Sequence, residues 1–250
     1  MTHGTAKALA IRRPAFSLFC SEPFRAAKEF ARHRFSKADE AKPGDGHPVV
    51  IFPGLGTDGK SVASLRARCA ALGYDALDWG QGFNTGPKGD LDAWLLDLKS
   101  AVVDLLSGNT QPATLIGWSL GGFYARELAK LMAPSVRQVI TMGTPFNAVA
   151  DCSNVGWLFR LLNGSSAAVD AAMSRRLRAP PPVRTTSIYS RSDGVVAWQT
   201  CCHHRRSSLV HDIEVGSSHI GMTWNRDVLA IVADRLGQQA GPWRRYVRAH

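Results

Sequence analysis

The sequence has few cysteines, no long apolar run and less acid than base. Five of its 250 residues are cysteine (Cys20, Cys69, Cys152, Cys201 and Cys202). That is too few for a disulfide-dense scaffold, and an odd number leaves at least one unpaired within the chain, so a largely reduced protein is expected. No stretch approaches the roughly 18 uncharged apolar residues that a membrane-spanning helix needs. Near the start, the apolar stretches Ala8 to Ile11 and Ala15 to Cys20 are separated by Arg12-Arg13-Pro14, which makes a poor core for a secretory signal. A soluble, cytoplasmic protein is the expectation, with peripheral contact to an anionic membrane left open. Asp and Glu total 20 against 30 Lys and Arg, a formal net charge of +10 that permits attraction to anions. Without a zinc finger, an RNA-binding aromatic pair or a long basic stripe, nucleic acid is not expected as a partner. Cys201-Cys202-His203-His204 has metal-ligating residue types, but adjacent thiolates lack the C-x-x-C spacing that suits one tetrahedral zinc, and no metal is expected.

What is present is a chain with 45% hydrophobic residues, long enough for one substantial core. Residues 1–47 read as an N-terminal arm with a helix over Glu22 to Phe35, whose stripe of Phe24, Ala27, Ala31 and Phe35 is expected to pack on the domain. Pro43-Gly44-Asp45-Gly46 closes the arm, and the fold proper is expected from Pro48 to Leu236, followed by a basic tail over 237–250. Val49-Val50-Ile51-Phe52 is a continuous apolar run of the kind buried in a parallel sheet. Further strands are predicted at Tyr74 to Trp79, Thr114 to Gly117, Gln138 to Met142, Thr185 to Tyr189 and Leu209 to Val215. Helices are predicted at Ser61 to Leu72, Asp90 to Leu106, Gly122 to Met132 and Trp224 to Leu236. This alternation predicts an α/β fold, a three-layer sandwich with a mostly parallel central sheet and ligands at the carboxyl ends of its strands. Between Phe146 and Val183 the alternation breaks. Helices over Val155 to Leu162 and Ala167 to Leu177 are read as a small helical cap, because Trp157, Leu158 and Leu161 are too apolar for a disordered linker.

Gly117-Trp118-Ser119-Leu120-Gly121 matches the G-x-S-x-G pattern, and it lies between a predicted strand and a predicted helix, the context in which a serine is presented on a sharp turn. A serine hydroxyl is a weak nucleophile and needs a histidine to take its proton, with a carboxylate to orient that histidine. His219 follows the last predicted strand in a Gly-Ser loop. Asp193, in Ser190-Arg191-Ser192-Asp193-Gly194, follows the strand before it; Asp212 and Glu214 lie within a strand, whose alternation points them elsewhere. In Pro53-Gly54-Leu55-Gly56 the glycines after the first buried strand can turn its backbone N–H groups toward a developing oxyanion. The amides of Leu55 and Leu120 are the candidate donors. This loop lacks both G-x-G-x-x-G spacing and a P-loop lysine, so no nucleotide cofactor is expected.

With Pro53-Gly54-Leu55, Gly117-Trp118-Ser119-Leu120-Gly121-Gly122, Tyr189 to Gly194 and Ser218-His219, the sequence resembles the α/β-hydrolase superfamily over Pro48 to Leu236. More narrowly it looks like small bacterial lipase and esterase-like hydrolases, related to triacylglycerol lipases and to enzymes that remove acyl chains from glycosylphosphatidylinositol anchors. The resemblance implies hydrolysis of carboxylic esters through an acyl-enzyme on Ser119, with no cofactor. It differs from many lipases in having Pro53-Gly54 where they carry His-Gly, which leaves the substrate class open. Acyl transfer or thioester hydrolysis by the same residues, and a non-enzymatic protein binding a membrane surface, remain as alternatives. Substrate contacts are expected from Trp79 and Phe83, from Trp118, and from Trp157, Leu158 and Leu161 of the cap.

Overall fold

The computed structural model describes residues 11–35, 43–147, 171–203, 207–238 and 243–247. All five residues of the first strand, β1 (Pro48–Phe52), are buried. Successive side chains of a strand point to opposite faces, so a strand covered on both sides must be apolar at every position. Val50 and Phe52 pack with α3 (Leu91–Leu105) and α4 (Leu120–Leu131), whereas Val49 and Ile51 pack with α2 (Ala63–Ala71) and α6 (Arg226–Leu236). This split gives three layers, helix, sheet and helix.

The remaining strands are β2 (Asp75–Asp78), β3 (Ala113–Trp118), β4 (Val136–Met142), β5 (Arg184–Tyr189) and β6 (Val210–Glu214). They form one sheet in the order β2-β1-β3-β4-β5-β6, and every pairing is parallel. The chain leaves β1 toward β2 and then crosses back to β3, so the direction of winding reverses between β1 and β3. In an open parallel sheet such a reversal parts the loops and leaves a crevice at the carboxyl ends of those strands. Helix ends follow local chemistry: the Asp90 carboxylate accepts the Ala93 N–H at 2.9 Å to start α3, and the Asn225 side chain accepts from Asp227 and Val228 to start α6.

Two parts of the N-terminal arm depart from expectation. Its helix, α1 (Phe16–Arg34), begins six residues before Glu22 and runs through Pro23, although proline favours a helix's first turn. The stripe of Phe24, Ala27, Ala31 and Phe35 does not pack on the domain; it is exposed, and the helix docks through Glu22, Ala26 and Glu29 instead. Ordered packing also begins before Pro48: His47 is fully buried, its Nε2 is 2.9 Å from Thr114 Oγ1, and Gly44 N–H donates to Leu72 O at 2.6 Å. Beyond Leu236, Trp243 lies edge-on to His211.

The β4–β5 crossover contains α5 (Ala171–Arg178), which packs along α4. Arg126 donates to the carbonyls of Leu177 and Ala179, and Lys130 to that of Arg176. The rest of the expected cap, including Trp157, Leu158 and Leu161, lies outside the described residues, as do Cys152 and His204.

Candidate active site

Ser119 has φ 53° and ψ −121°, the one non-glycine residue with positive φ among those described. A side chain in this region costs about 1–3 kcal/mol and persists only where the surroundings enforce it. Here the Ser119 N–H donates to Met142 O at the end of β4 (2.8 Å), and its carbonyl accepts from Thr144 Oγ1 (2.9 Å) and Gly122 N–H (3.1 Å). The glycines of the turn permit this crowding. A Cβ on Gly121 would sit 2.3 Å from Phe52 O, so any larger residue would push α4 off β1.

The expected base and acid come from the far half of the sheet. His219 follows β6 and Asp193 follows β5, and His219 Nδ1 lies 2.7 Å from Asp193 Oδ2. The other carboxylate oxygen accepts the N–H groups of Val195 (2.8 Å) and Val196 (2.7 Å), which fixes its plane. An acceptor at Nδ1 keeps the proton there and leaves the Nε2 lone pair as the basic one. Burial lowers the His219 pKa, but the touching Asp193 carboxylate and the nearby Glu22 raise it more, and the net shift is above the ordinary 6.5. The rival carboxylates are engaged elsewhere: Asp212 holds His203 at 2.9 Å, and Glu214 pairs with Arg191 at 3.0 Å. His203 cannot serve as an alternative base, because its Nε2 accepts from the buried Arg126 guanidinium at 2.8 Å.

Trp118 links the turn at Ser119 to His219. Its ring is nearly buried in the core beneath the turn, and its Nε1–H donates to His219 O at 3.0 Å. Among the described residues, Ser119 Oγ and the His219 ring do not share a hydrogen bond within 3.5 Å; such bonds are commonly long before substrate binds. Gly54 brings the loop after β1 against Ser119, since a Cβ there would stand 3.4 Å from Ser119 Cβ. Neither the Leu55 nor the Leu120 N–H has an acceptor among the described residues.

A family model described as the alpha/beta hydrolase family matches residues 49–249. The chain belongs to this family. Comparison with curated proteins finds no match. Among solved structures it is similar to Aspergillus fumigatus lipase B, at 16% identity and a TM-score of 0.59, over 82% of this chain and 54% of that one. The chain thus spans about half the length of that lipase. It is also similar to a structure of the metagenome-derived lipolytic enzymes LipS and LipT (14% identity, TM-score 0.56, 78% of this chain and 94% of that one). A third likeness is to ferulic acid-bound Est1E from Butyrivibrio proteoclasticus (13% identity, TM-score 0.54, 80% and 89%). At these identities the likeness is one of fold.

Within this hydrolase fold the aromatic residues expected to contact substrate sit differently from one another. Trp79 is in the core, stacked on Tyr124 at 6.0 Å with its Nε1–H on Gly82 O; Phe83 is exposed. Two residues that the sequence did not single out support the site. Asn84 is fully buried, donates its side-chain amide to Pro53 O at 2.9 Å and accepts from Tyr124 Oη at 3.0 Å, while its backbone pairs with Gly56 and Thr57. It therefore braces the loop that carries Leu55. Glu22, from α1, accepts the N–H groups of Gly194 (2.8 Å), His219 (3.1 Å) and Ile220 (3.2 Å), and so ties the loop after β5 to the loop after β6. Its one available signal in the sequence is that it is one of only two acidic residues, with Glu29, in a helix otherwise rich in basic and apolar side chains. Among the described residues no group of three or more His, Cys, Asp and Glu side chains could hold a metal ion.

Proposed function

We propose that the protein is a serine hydrolase that cleaves carboxylic esters of apolar acyl groups through an acyl-enzyme. Ser119 Oγ attacks the ester carbonyl while its proton passes to His219 Nε2, and Asp193 stabilises the resulting imidazolium. The carbonyl oxygen becomes an oxyanion facing the Leu55 and Leu120 amides. Collapse breaks the bond to the alcohol oxygen, which takes the proton from His219. Water then attacks the acyl-enzyme, giving its proton to His219; the second collapse returns that proton to Ser119 and releases the acid. The observation that carries this reading is the Asp193–His219 pair, on adjacent strand ends, tethered through Trp118 to the strained serine turn.

A p-nitrophenyl ester series from acetyl to octanoyl on the purified protein tests it. Measurable hydrolysis that is lost in Ser119→Ala, with kcat/KM rising along the series as methylenes are buried, is the expected result. Equal rates in the variant would overturn the assignment of the nucleophile, and a preference for acetyl would overturn the apolar acyl group. Transfer of the acyl group to an alcohol or thiol uses the same residues, and product analysis with such an acceptor present separates it from hydrolysis.

A further inference from the structure

Helix α1 carries two carboxylates, Glu22 and Glu29, and both turn toward the domain. Glu22 binds the acid and base loops, and Glu29 accepts from Ser217 Oγ (2.6 Å), Ser218 N–H (2.8 Å) and Asn225 Nδ2 (3.1 Å). The opposite side of the helix then has no acidic residue. Phe16, Cys20, Phe24, Ala27, Ala31 and Phe35 recur at spacings of three and four, so they form one outward stripe, and all six are exposed. Phe16, Phe24 and Phe35 are 79%, 80% and 88% exposed. Single exposed apolar residues are ordinary, but a stripe of them about 28 Å long marks a surface that meets something.

The charges around the stripe choose its partner. Arg12 and Arg13 precede the helix and are exposed, as are Lys28, Arg32 and Arg34 along it. Beside α1 lies a cavity of about 740 Å³, lined by Arg25, Lys28, Arg32 and Arg226 against Glu29 and Asp227, so its cations outnumber its carboxylates. A second copy of this chain would bring like charges together, in a protein of net charge +10. Aromatic side chains bordered by Lys and Arg fit an anionic lipid surface, where rings enter the acyl boundary and cations meet headgroup phosphates. No helix among the described residues is long and apolar enough to cross a membrane, and α1 suits lying in its plane.

We propose that the outer face of α1 docks this protein on anionic phospholipid surfaces, with the acid and base loops held on the inner side of the same helix. The inference stands apart from the hydrolase reading, because vesicle binding is measured without turnover. In flotation of the full chain, binding to phosphatidylcholine–phosphatidylglycerol vesicles is expected to exceed binding to phosphatidylcholine alone by at least about tenfold, and to weaken with salt. The variant Phe16→Ser, Phe24→Ser, Phe35→Ser should lose at least about tenfold in partition with an unchanged melting temperature. Lys28→Glu with Arg34→Glu should lose the preference for anionic vesicles. Absence of binding, equal binding to neutral and anionic vesicles, or undiminished binding by the triple phenylalanine variant overturns the proposal. So does a dimer in sedimentation equilibrium that the triple variant abolishes, which would make a second copy the occupant.

Discussion

His219 is fastened at three points: its N–H on Glu22, its carbonyl on the Trp118 indole and its Nδ1 on Asp193. Only Nε2 is left to exchange a proton. In Asp193→Asn the amide oxygen can keep the Val195 and Val196 N–H groups while the NH2 faces Nδ1, which forces the imidazole proton onto Nε2. A fall in kcat of up to about 10⁴-fold is expected, the size seen for the corresponding change in the serine-protease triad, with an unaltered circular dichroism spectrum. The carboxylates that raise the His219 pKa set two pH trends. In the proposed mechanism turnover needs the neutral ring, so kcat/KM should fall as pH drops through a pKa above 6.5, and Glu22→Gln, which removes one of those charges, should move that acid limb to lower pH. Stability runs the other way. A raised folded pKa contributes fully below the unfolded value near 6.5 and loses its contribution as pH rises through the folded value, so the difference in melting temperature between wild type and His219→Gln should narrow there.

Two elements, α1 and the loop through Asn84, hold the candidate site from outside Ser119, Asp193 and His219. Glu22 is buried and shared among three backbone N–H groups and Arg25, whose guanidinium is 2.6 Å away. Replacing it by alanine leaves those donors and that charge without their acceptor, and a loss of about 3 kcal/mol in urea unfolding is expected. Asn84→Ala should loosen the Leu55 amide, lowering kcat by up to about 100-fold with less change in KM. The sequence shows the elbow plainly because its chemistry demands small residues at fixed positions around one serine. It does not show Asn84 or Glu22, since their partners lie at positions such as Pro53 and His219 that only the fold brings near. The periodicity of α1 reveals that an apolar stripe exists, but not which side finds partners. Six donors on the acid and base loops and α6's first turn hold Glu22 and Glu29, and that preference turns Phe24 and Phe35 outward.

At the scale of the molecule, the alternation of strands and helices was readable because β1, β3 and most of β4 are covered on both faces and are mainly apolar, the buried exceptions Thr114, Gln138 and Thr141 all having hydrogen-bond partners. The same burial predicts that amide hydrogen exchange is slowest in these three strands and faster in α1, which rests on loops. The parallel sheet places Ser119 at the winding reversal between β1 and β3 and Asp193 and His219 beyond β4, so residues from distant parts of the sequence gather at one edge. The central claim is that this edge makes Ser119 a nucleophile. Intact-mass measurement after reaction with a fluorophosphonate, followed by peptide mapping, tests it most directly. The account predicts a single adduct on Ser119, absent from Ser119→Ala and strongly slowed in His219→Gln; an adduct on another serine, or labelling of Ser119→Ala at the wild-type rate, would contradict it.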